Sequence, residues 1–185
     1  MTAEELVYGC EGNGVPQVAL LDASEAGLDA DALRRWARRV AAASGAPYTS
    51  RSYRYPYALV AWHNQPVGTD IERIGPCDEA FAELICTPVE RPTTPGPFGR
   101  DIYLTSLWSG KEALAKALGD AVAYEPSRLA SPALWPRGRA GTWRAEELRA
   151  PPGHVAWLCW RSSGTSPALA SPKLERRGAL MEPVR

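Results

Sequence analysis

Several short stretches of the chain consist mainly of apolar residues, and these stretches are predicted to be strands. Each is only a few residues long and rich in β-branched or aromatic side chains, which is typical of half-buried strands. A turn at Asn64–Pro66 connects the strands 57–63 and 67–72, and these two strands are predicted to pair with each other. The predicted strands are 17–21, 57–63, 67–72 and 155–160.

A different period, in which apolar residues recur at i, i+3, i+4 and i+7, predicts a helix early in the chain. Asp29 or Asp31 is expected to cap its start, and Gly45 to end it just after Ser44. The face opposite the apolar residues carries four arginines. The apolar positions are Leu33, Trp36, Ala37 and Val40, and the arginines are Arg34, Arg35, Arg38 and Arg39.

Helical spacing returns at 78–86 and, most clearly, at 105–118, where Gly119 is expected to end the helix.

Two regions lack any periodicity. Residues 90–100 hold three prolines and two glycines and are predicted to form a surface loop. Residues 162–185 are rich in Ser, Pro, Ala and Arg, and a mobile tail is expected there. The Tyr- and Arg-rich stretch after Pro47 is predicted to be a turn.

A short internal repeat bears on the architecture. The triplet Val60-Ala61-Trp62 recurs as Val155-Ala156-Trp157, 95 residues later, and both copies fall on predicted strands. The match is short, but it agrees with a chain built from two related halves. The predicted fold class is therefore α+β.

Charge and composition exclude several classes of protein. The 185 residues contain 21 basic and 21 acidic side chains, so binding to nucleic acid through phosphate contacts is not expected. The longest apolar runs fall far short of the ~20 residues that span a membrane. The first residues, MTAEE, do not resemble a secretion signal, and the four cysteines are widely separated. A cytoplasmic protein with reduced thiols is predicted.

Two carboxylates on one predicted strand are the first candidates for chemistry. Asp70 and Glu72 are two residues apart, so they point to the same face of the strand. Neighbouring carboxylates repel each other, and a hard divalent cation is a common way to offset that repulsion. Gly68, on the same face, allows a neighbour or a ligand to approach the backbone closely.

The helix 105–118 supplies a complement to these acids. Glu112 and Lys116 are four residues apart and share one face, one turn beyond Trp108. A third carboxylate and an ammonium group opposite the strand would form a site for Mg²⁺ and a polyphosphate. Neither segment contains histidine, which favours a metal with oxygen ligands over zinc.

Both features also have an ordinary structural explanation. Asp70 and Glu72 could simply be a solvated strand face, since acidic side chains are mostly exposed. Glu112 and Lys116 could be an exposed i, i+4 pair contributing about 0.3–0.5 kcal/mol. Neither motif is informative alone. Their order and their flanking residues are what make the combination specific.

Together the two motifs resemble the 4′-phosphopantetheinyl transferase superfamily. That family has a G-x-D-x-E strand followed by W-x-x-K-E-x-x-x-K on a helix. Here the strand reads GTDIE from Gly68 to Glu72, and the helix reads WSGKEALAK from Trp108 to Lys116. The likeness extends over roughly residues 45–160. The length is nearer to the two-halved, surfactin-synthetase-activating type than to the short trimeric type.

The resemblance implies an enzyme that moves 4′-phosphopantetheine from coenzyme A to a serine of an acyl or peptidyl carrier protein. Asp70, Glu72 and Glu112 would be the ligands of Mg²⁺, with Mn²⁺ as a possible substitute. Lys111 and Lys116 would contact the phosphates of coenzyme A, and Lys116 would also assist the leaving phosphate. Glu90, at the start of the following loop, would help to bind the metal or act as a general base.

Three features depart from the family pattern. Tyr53 stands where relatives carry the histidine of a Ser-His-Ser motif, and Arg51 and Arg54 are candidates to supply the missing charge to the coenzyme. The basic N-terminal segment of relatives is not recognisable. The four-arginine face at 34–39 could replace it, contact a carrier protein or remain solvated. The resemblance also implies an abbreviated N-terminal half at 1–66 and a C-terminal half at 67–161 that holds the motifs.

Two functional readings follow. The first is an active transferase that works as a monomer or a homodimer without nucleic acid or membrane. The alternative is a diverged member of the family that has lost transfer, or that uses the pocket for another ligand in a biosynthetic pathway.

Overall fold

The computed structural model describes residues 4–8, 14–24, 26–91, 97–163 and 174–178, which form two antiparallel sheets and three α-helices. The first sheet has the strand order β3-β4-β2-β1-β9, and the second has the order β5-β8-β7-β6. The strands are β1 (Glu4–Tyr8), β2 (Gln17–Asp22), β3 (Tyr48–Arg54), β4 (Tyr57–His63), β5 (Val67–Arg73), β6 (Arg139–Ala140), β7 (Trp143–Leu148), β8 (His154–Arg161) and β9 (Leu174–Gly178). The helices are α1 (Ala30–Ala43), α2 (Glu79–Ile85) and α3 (Pro97–Leu118).

The two sheets pack face to face and each carries a helix on its outer side. Inward side chains of β2 and β4 meet those of β5, β7 and β8 in one apolar cluster. The opposite face of β2 and β4 packs on α1, and the opposite face of β8 packs on α3. This arrangement buries both faces of the central strands, which explains their nearly continuous apolar sequences.

The repeated triplet occupies equivalent places in the two sheets. Ala61 of β4 and Ala156 of β8 both belong to the cluster between the sheets. Trp62 packs on the α1 side, and Trp157 packs on the α3 side. Each triplet therefore lies on an inner strand, with its tryptophan towards the helix of its own half. The predicted α+β class with two related halves is confirmed.

The predicted helices form, and their ends follow from capping. Asp29 accepts the backbone N–H of Ala32 at 2.7 Å and caps α1, which ends before Gly45. Asp78 caps α2 in the same way, by accepting the N–H of Phe81 at 2.8 Å. The third helix is longer than predicted because it begins at Pro97, inside the expected loop 90–100. Proline is well tolerated in a first helical turn, where its missing N–H has no partner to lose.

Strand β3 corrects the prediction of a turn after Pro47. Its alternation is concealed because the buried positions are serines. Ser50 and Ser52 point towards β5, where the Ser50 hydroxyl accepts the backbone N–H of Thr69 at 3.0 Å. A polar face that is buried against the edge of another strand gives no apolar period to read.

Strand β9 corrects part of the predicted mobile tail. Residues 174–178 pair antiparallel with β1 and add a fifth strand to the first sheet. Residues 162 and 163 are also described, whereas the rest of the predicted tail and residues 92–96 of the predicted loop 90–100 lie outside the described residues. The predicted pairing of 57–63 with 67–72 is wrong, because β4 and β5 lie in different sheets and β5 pairs with β8. The two-half division at residue 66 falls between β4 and β5, and as a domain boundary it stays a prediction.

Candidate active site

Asp70 lies in the middle of β5 and is almost completely buried, with 2% of its surface exposed. Its Oδ1 atom accepts hydrogen bonds from Ser52 Oγ at 2.8 Å and from Lys116 Nζ at 2.7 Å. Its Oδ2 atom is buried and accepts no hydrogen bond from any residue that the structure describes. A carboxylate oxygen that is removed from water and left unpaired is costly, so this atom marks a position where a cation or a donor would be stabilised.

Glu72, two residues further along β5, has partners on both oxygens. Arg54 donates to Oε2 from two of its nitrogens, and Trp108 Nε1 donates to Oε1 at 3.3 Å. Burial and the neighbouring Asp70 carboxylate raise the pKa of Glu72, although Arg54 and Trp108 act in the opposite direction. The net rise comes first from burial, and the Asp70 carboxylate adds to it.

Glu112 lies on α3 between the two helix residues that contact the strand acids. Trp108 is one turn before it and bonds Glu72, and Lys116 is one turn after it and bonds Asp70. The hydroxyl of Tyr124 donates to Glu112 Oε1 at 2.6 Å. Burial, that hydrogen bond and the charges of Glu112 and Asp70 all raise the pKa of Tyr124. Glu112 therefore lies on α3 one turn from each of the two helix residues that bond the strand acids.

Gly68 is the reason β5 and α3 can approach so closely. A Cβ atom at this position would lie 2.0 Å from the carbonyl oxygen of Ala113 and 2.5 Å from the backbone nitrogen of Ala117. No side chain fits there, because both obstacles are helix backbone. The glycine of the motif thus sets the distance across which Asp70 and Lys116 meet.

The donor set suits a hard divalent cation, although the acids do not yet form a ligand cluster. Across the described residues, no group of three or more His, Cys, Asp or Glu side chains is placed to hold a metal ion. Glu72 is paired on both of its oxygens, whereas Asp70 Oδ2 and Glu112 Oε2 accept no hydrogen bond from the described residues. All the available ligand atoms are oxygens, which Mg²⁺ and Mn²⁺ prefer.

Alternation along β3 separates the three residues predicted to bind the coenzyme. Arg54 shares the face of Ser50 and Ser52 and reaches Glu72. Tyr53 faces the other way, packs against the α1 cluster and lies under the Arg34 guanidinium at 5.9 Å. Arg51 shares that outer face, since strand side chains alternate. Tyr53 and Arg51 therefore lie on the face of β3 that points away from the acids, whereas Arg54 lies beside Glu72, and the predicted contacts of all three with the coenzyme stay predictions.

Lys111 and Glu90 form an ion pair inside the protein rather than at its surface. Lys111 is 0% exposed and Glu90 is 1% exposed, and Nζ lies 2.5 Å from Oε2. The ammonium also donates to the carbonyl oxygens of Ile85 and Pro126, which uses its three donors. The predicted phosphate contact of Lys111 and the predicted catalytic role of Glu90 are not compatible with this burial.

Backbone donors complete the surroundings of Glu90. Ser131 N–H binds Oε1 at 2.6 Å and Thr87 N–H binds Oε2 at 2.8 Å. Burial alone would raise the pKa of Glu90, but the hydrogen bonds from Lys111, Ser131 and Thr87 outweigh it, and the pKa lies below its ordinary value of 4.5. The pair joins the segment after α2, helix α3 and the loop at 126–131.

This lowered pKa predicts how stability depends on pH. A carboxyl whose pKa is depressed by folding stabilises the protein above the unfolded pKa, and that stabilisation is lost as pH falls through the folded pKa. Glu90→Gln should therefore be less stable than wild type at pH 7. The difference between their free energies of unfolding should become smaller as the pH falls below about 4.5, the ordinary pKa of this carboxyl. Urea unfolding of both proteins at pH 7 and at pH 3–4 measures this difference in the free energy of unfolding. A difference that becomes larger at the lower pH would contradict the prediction.

Three contacts of the site were not predicted from the sequence. Ser52 and Tyr124 each bond one of the acids, and Trp108 bonds Glu72 through its indole. Trp108 belongs to the helix motif, one turn before Glu112, but the motif alone does not predict its hydrogen bond to Glu72. Ser52 and Tyr124 carry no local signal, because each lies distant in sequence from the acid that it contacts.

The four-arginine face of α1 is separate from these acids. Arg34, Arg35, Arg38 and Arg39 are exposed, and Arg34 lies 3.5 Å from Asp31. Their charges stand on the outer side of the first sheet. The contact of these arginines with a carrier protein stays a prediction. None of the described helices is long and apolar enough to cross a membrane.

Known proteins share this arrangement of motifs. Residues 66–159 match the sequence model of the 4′-phosphopantetheinyl transferase superfamily, a region that includes β5, α3 and the three acids. A curated relative is "4′-phosphopantetheinyl transferase psf-1" of Bacillus pumilus, which is 28% identical over 131 residues. The aligned region covers 65% of this chain but 43% of that relative. Because the family match spans about half of the chain and contains both motifs, the chain belongs to the 4′-phosphopantetheinyl transferase superfamily.

Proposed function

We propose that this protein transfers 4′-phosphopantetheine from coenzyme A to a serine of an acyl or peptidyl carrier protein, in the presence of Mg²⁺. The observation that carries the proposal is the buried Asp70 carboxylate, with one oxygen on Lys116 and the other unpaired. A buried acid of this kind is poorly explained as a solvated strand face. Membership of the family supplies the class of reaction.

Each charged residue of the site has a proposed task. Lys116 is 22% exposed, so its ammonium can contact a phosphate while it remains near Asp70. Arg54 is half exposed, and its guanidinium is suited to bind phosphate oxygens in pairs. A bound divalent cation would be held by Asp70, Glu72 and Glu112, and it would neutralise the charge of the diphosphate. Glu72 can join that set once Arg54 turns from the carboxylate to the phosphate.

Positioning accounts for much of the rate enhancement expected of such a site. The carrier serine must approach the phosphorus in line while the charge on the diphosphate is offset. The hydrogen bonds from Lys116 to Asp70 and from Arg54 to Glu72 hold both carboxylates in place before the substrate binds. The neighbouring Trp108, packed edge-to-face against Phe81 at 6.0 Å, restricts one side of the site.

Intact-mass measurement of a carrier protein tests the proposal. Purified protein is mixed with coenzyme A, Mg²⁺ and each of several apo carrier proteins, and the carrier is expected to gain the mass of phosphopantetheine. A carrier whose acceptor serine is replaced by alanine should gain nothing. No added mass on any carrier would contradict the proposed function.

Asp70→Asn is expected to lower the rate of transfer by roughly 100-fold, in the range seen when a charged group of this kind is removed. The amide keeps the shape of the side chain but removes the charge opposite Lys116 and at the unpaired oxygen. Asp31→Asn, at an exposed position on α1, is the matched control and should transfer at the wild-type rate. Coenzyme A binding by calorimetry, with and without Mg²⁺, separates loss of binding from loss of turnover. Equal rates for the two variants would contradict the proposed role of Asp70.

A diverged protein without transfer activity is the second candidate, and one observation favours it. Both oxygens of Glu72 are engaged, and Arg54 occupies a position beside the acids. In that case Arg54 would replace the cation permanently, and coenzyme A would bind equally well with and without Mg²⁺. Carrier mass then stays unchanged, although coenzyme A or a carrier protein still binds.

A further inference from the structure

Tyr124 is the partner of Glu112 and lies outside both sequence motifs. Its hydroxyl donates to Glu112 Oε1 at 2.6 Å, and its ring is half-buried. Nothing in either motif requires a tyrosine at this place, so the contact needs its own explanation.

The backbone after α3 is built to return Tyr124 to the helix. Gly119 has a φ of 82°, its N–H bonds the carbonyl of Lys116, and the N–H of Asp120 bonds the carbonyl of Ala115. This is the glycine-terminated helix end that reverses the chain. The carbonyl of Asp120 then accepts the N–H groups of Ala123 and Tyr124. The turn is therefore held by backbone hydrogen bonds, in addition to the side-chain bond from Tyr124 to Glu112.

A separate donor holds each of the three acids. Asp70 has Lys116, and Glu72 has Trp108 and Arg54. Glu112 has Tyr124 on Oε1, whereas Oε2 has no hydrogen bond among the contacts of the described side chains. Without that donor, a partly exposed glutamate on a helix would sample several rotamers. Groups that bond a metal-binding carboxylate from behind fix its orientation and raise its affinity for the metal.

We propose that Tyr124 is a positioning residue, which holds the Glu112 carboxylate in one orientation for the divalent cation of the proposed function. The inference rests on that function, because it presupposes a cation at the three acids. Tyr124 itself touches neither the cation nor the substrate in this role. Its effect passes through a single hydrogen bond.

A purely structural role makes a different prediction, and Tyr103 provides the comparison. Its hydroxyl donates to the backbone carbonyl of Glu90 at 3.0 Å, and the residue is half-buried like Tyr124. Tyr103→Phe also removes one hydrogen bond donated by a phenol, to a backbone carbonyl at a place that does not include the three acids. It is therefore the matched control for Tyr124→Phe.

The test is Mn²⁺ binding to the full-length protein with coenzyme A present, followed by electron paramagnetic resonance of the free ion. Tyr124→Phe should weaken Mn²⁺ binding by about 10-fold, at the lower end of what removing such a partner costs. Tyr103→Phe should bind Mn²⁺ like wild type. Thermal unfolding without metal is expected to shift by a similar small amount in both variants, which shows that both fold.

A second comparison guards against an indirect effect of the substitution. In a Glu112→Gln background, adding Tyr124→Phe should cause no further loss of Mn²⁺ affinity, because the hydroxyl acts only through that carboxylate. A further loss, or wild-type affinity in Tyr124→Phe alone, would overturn this inference and leave the proposed function intact. A wild-type protein that binds no Mn²⁺ overturns the proposed function, and the inference with it.

Discussion

Lys111→Met is expected to lower the free energy of unfolding by about 3–5 kcal/mol, the usual effect of removing one partner of a buried ion pair. The methionine fills a similar volume, but it leaves the buried Glu90 carboxylate without its cation. The carbonyls of Ile85 and Pro126 also lose their donor. Urea unfolding at pH 7 measures the difference.

Two further variants isolate the cause of that loss. Lys111→Met combined with Glu90→Gln should be more stable than Lys111→Met alone, since the uncompensated charge is gone. Arg128→Met removes the cation of an exposed ion pair with Glu125, whose side chains are 81% and 61% exposed. That change should cost less than about 1 kcal/mol. If the double variant were as unstable as the single one, lost packing rather than buried charge would be the cause.

Gly68→Ala should destabilise the protein by about 3 kcal/mol or more, at the upper end of overpacking costs. The added Cβ would lie 2.0 Å from the Ala113 carbonyl oxygen, so β5 and α3 must move apart. That movement separates Asp70 from Lys116, whose nitrogen and oxygen are now 2.7 Å apart. Coenzyme A binding should weaken together with stability, and both are measured on the same preparation.

Gly75→Ala is the matched control because a Cβ at that position meets nothing within 4 Å. Its backbone does not need a positive φ, so the change should be neutral or stabilise by up to about 1 kcal/mol. Wild-type stability in Gly68→Ala would contradict the close approach of strand and helix. A strong loss in Gly75→Ala would show that glycine replacement in this region is costly for another reason.

The elements that bury apolar residues could be predicted from the sequence, and those that bury polar ones could not. Strand β4 has the predicted bounds of 57–63, and α1 has the predicted cap at Asp29. Strand β3 was missed because Ser50 and Ser52 are its buried positions. Strand β9 was missed because its charged sequence, LERRG, has no apolar period of its own, and pairing with β1 determines its structure.

The candidate site divides in a similar way. Spacing alone placed Asp70 beside Glu72, and Glu112 beside Lys116, because strand and helix periods fix such neighbours. It could not show that Lys111, next to Glu112 in the chain, points into the protein. Adjacent residues on a helix are about 100° apart, and only packing decides which of them reaches solvent. The same limit applies to Arg54 and Tyr53, which strand alternation places on opposite faces.

The hydroxyl of Ser50 has a consequence beyond the stability of one hydrogen bond. It accepts the backbone N–H of Thr69 in β5, on the side of that strand where none of the described strands of its own sheet lies. Open strand edges recruit strands of other molecules and lead to aggregation. By covering this edge with a side chain from the other half, the protein shields its acid-bearing strand from intermolecular β-pairing.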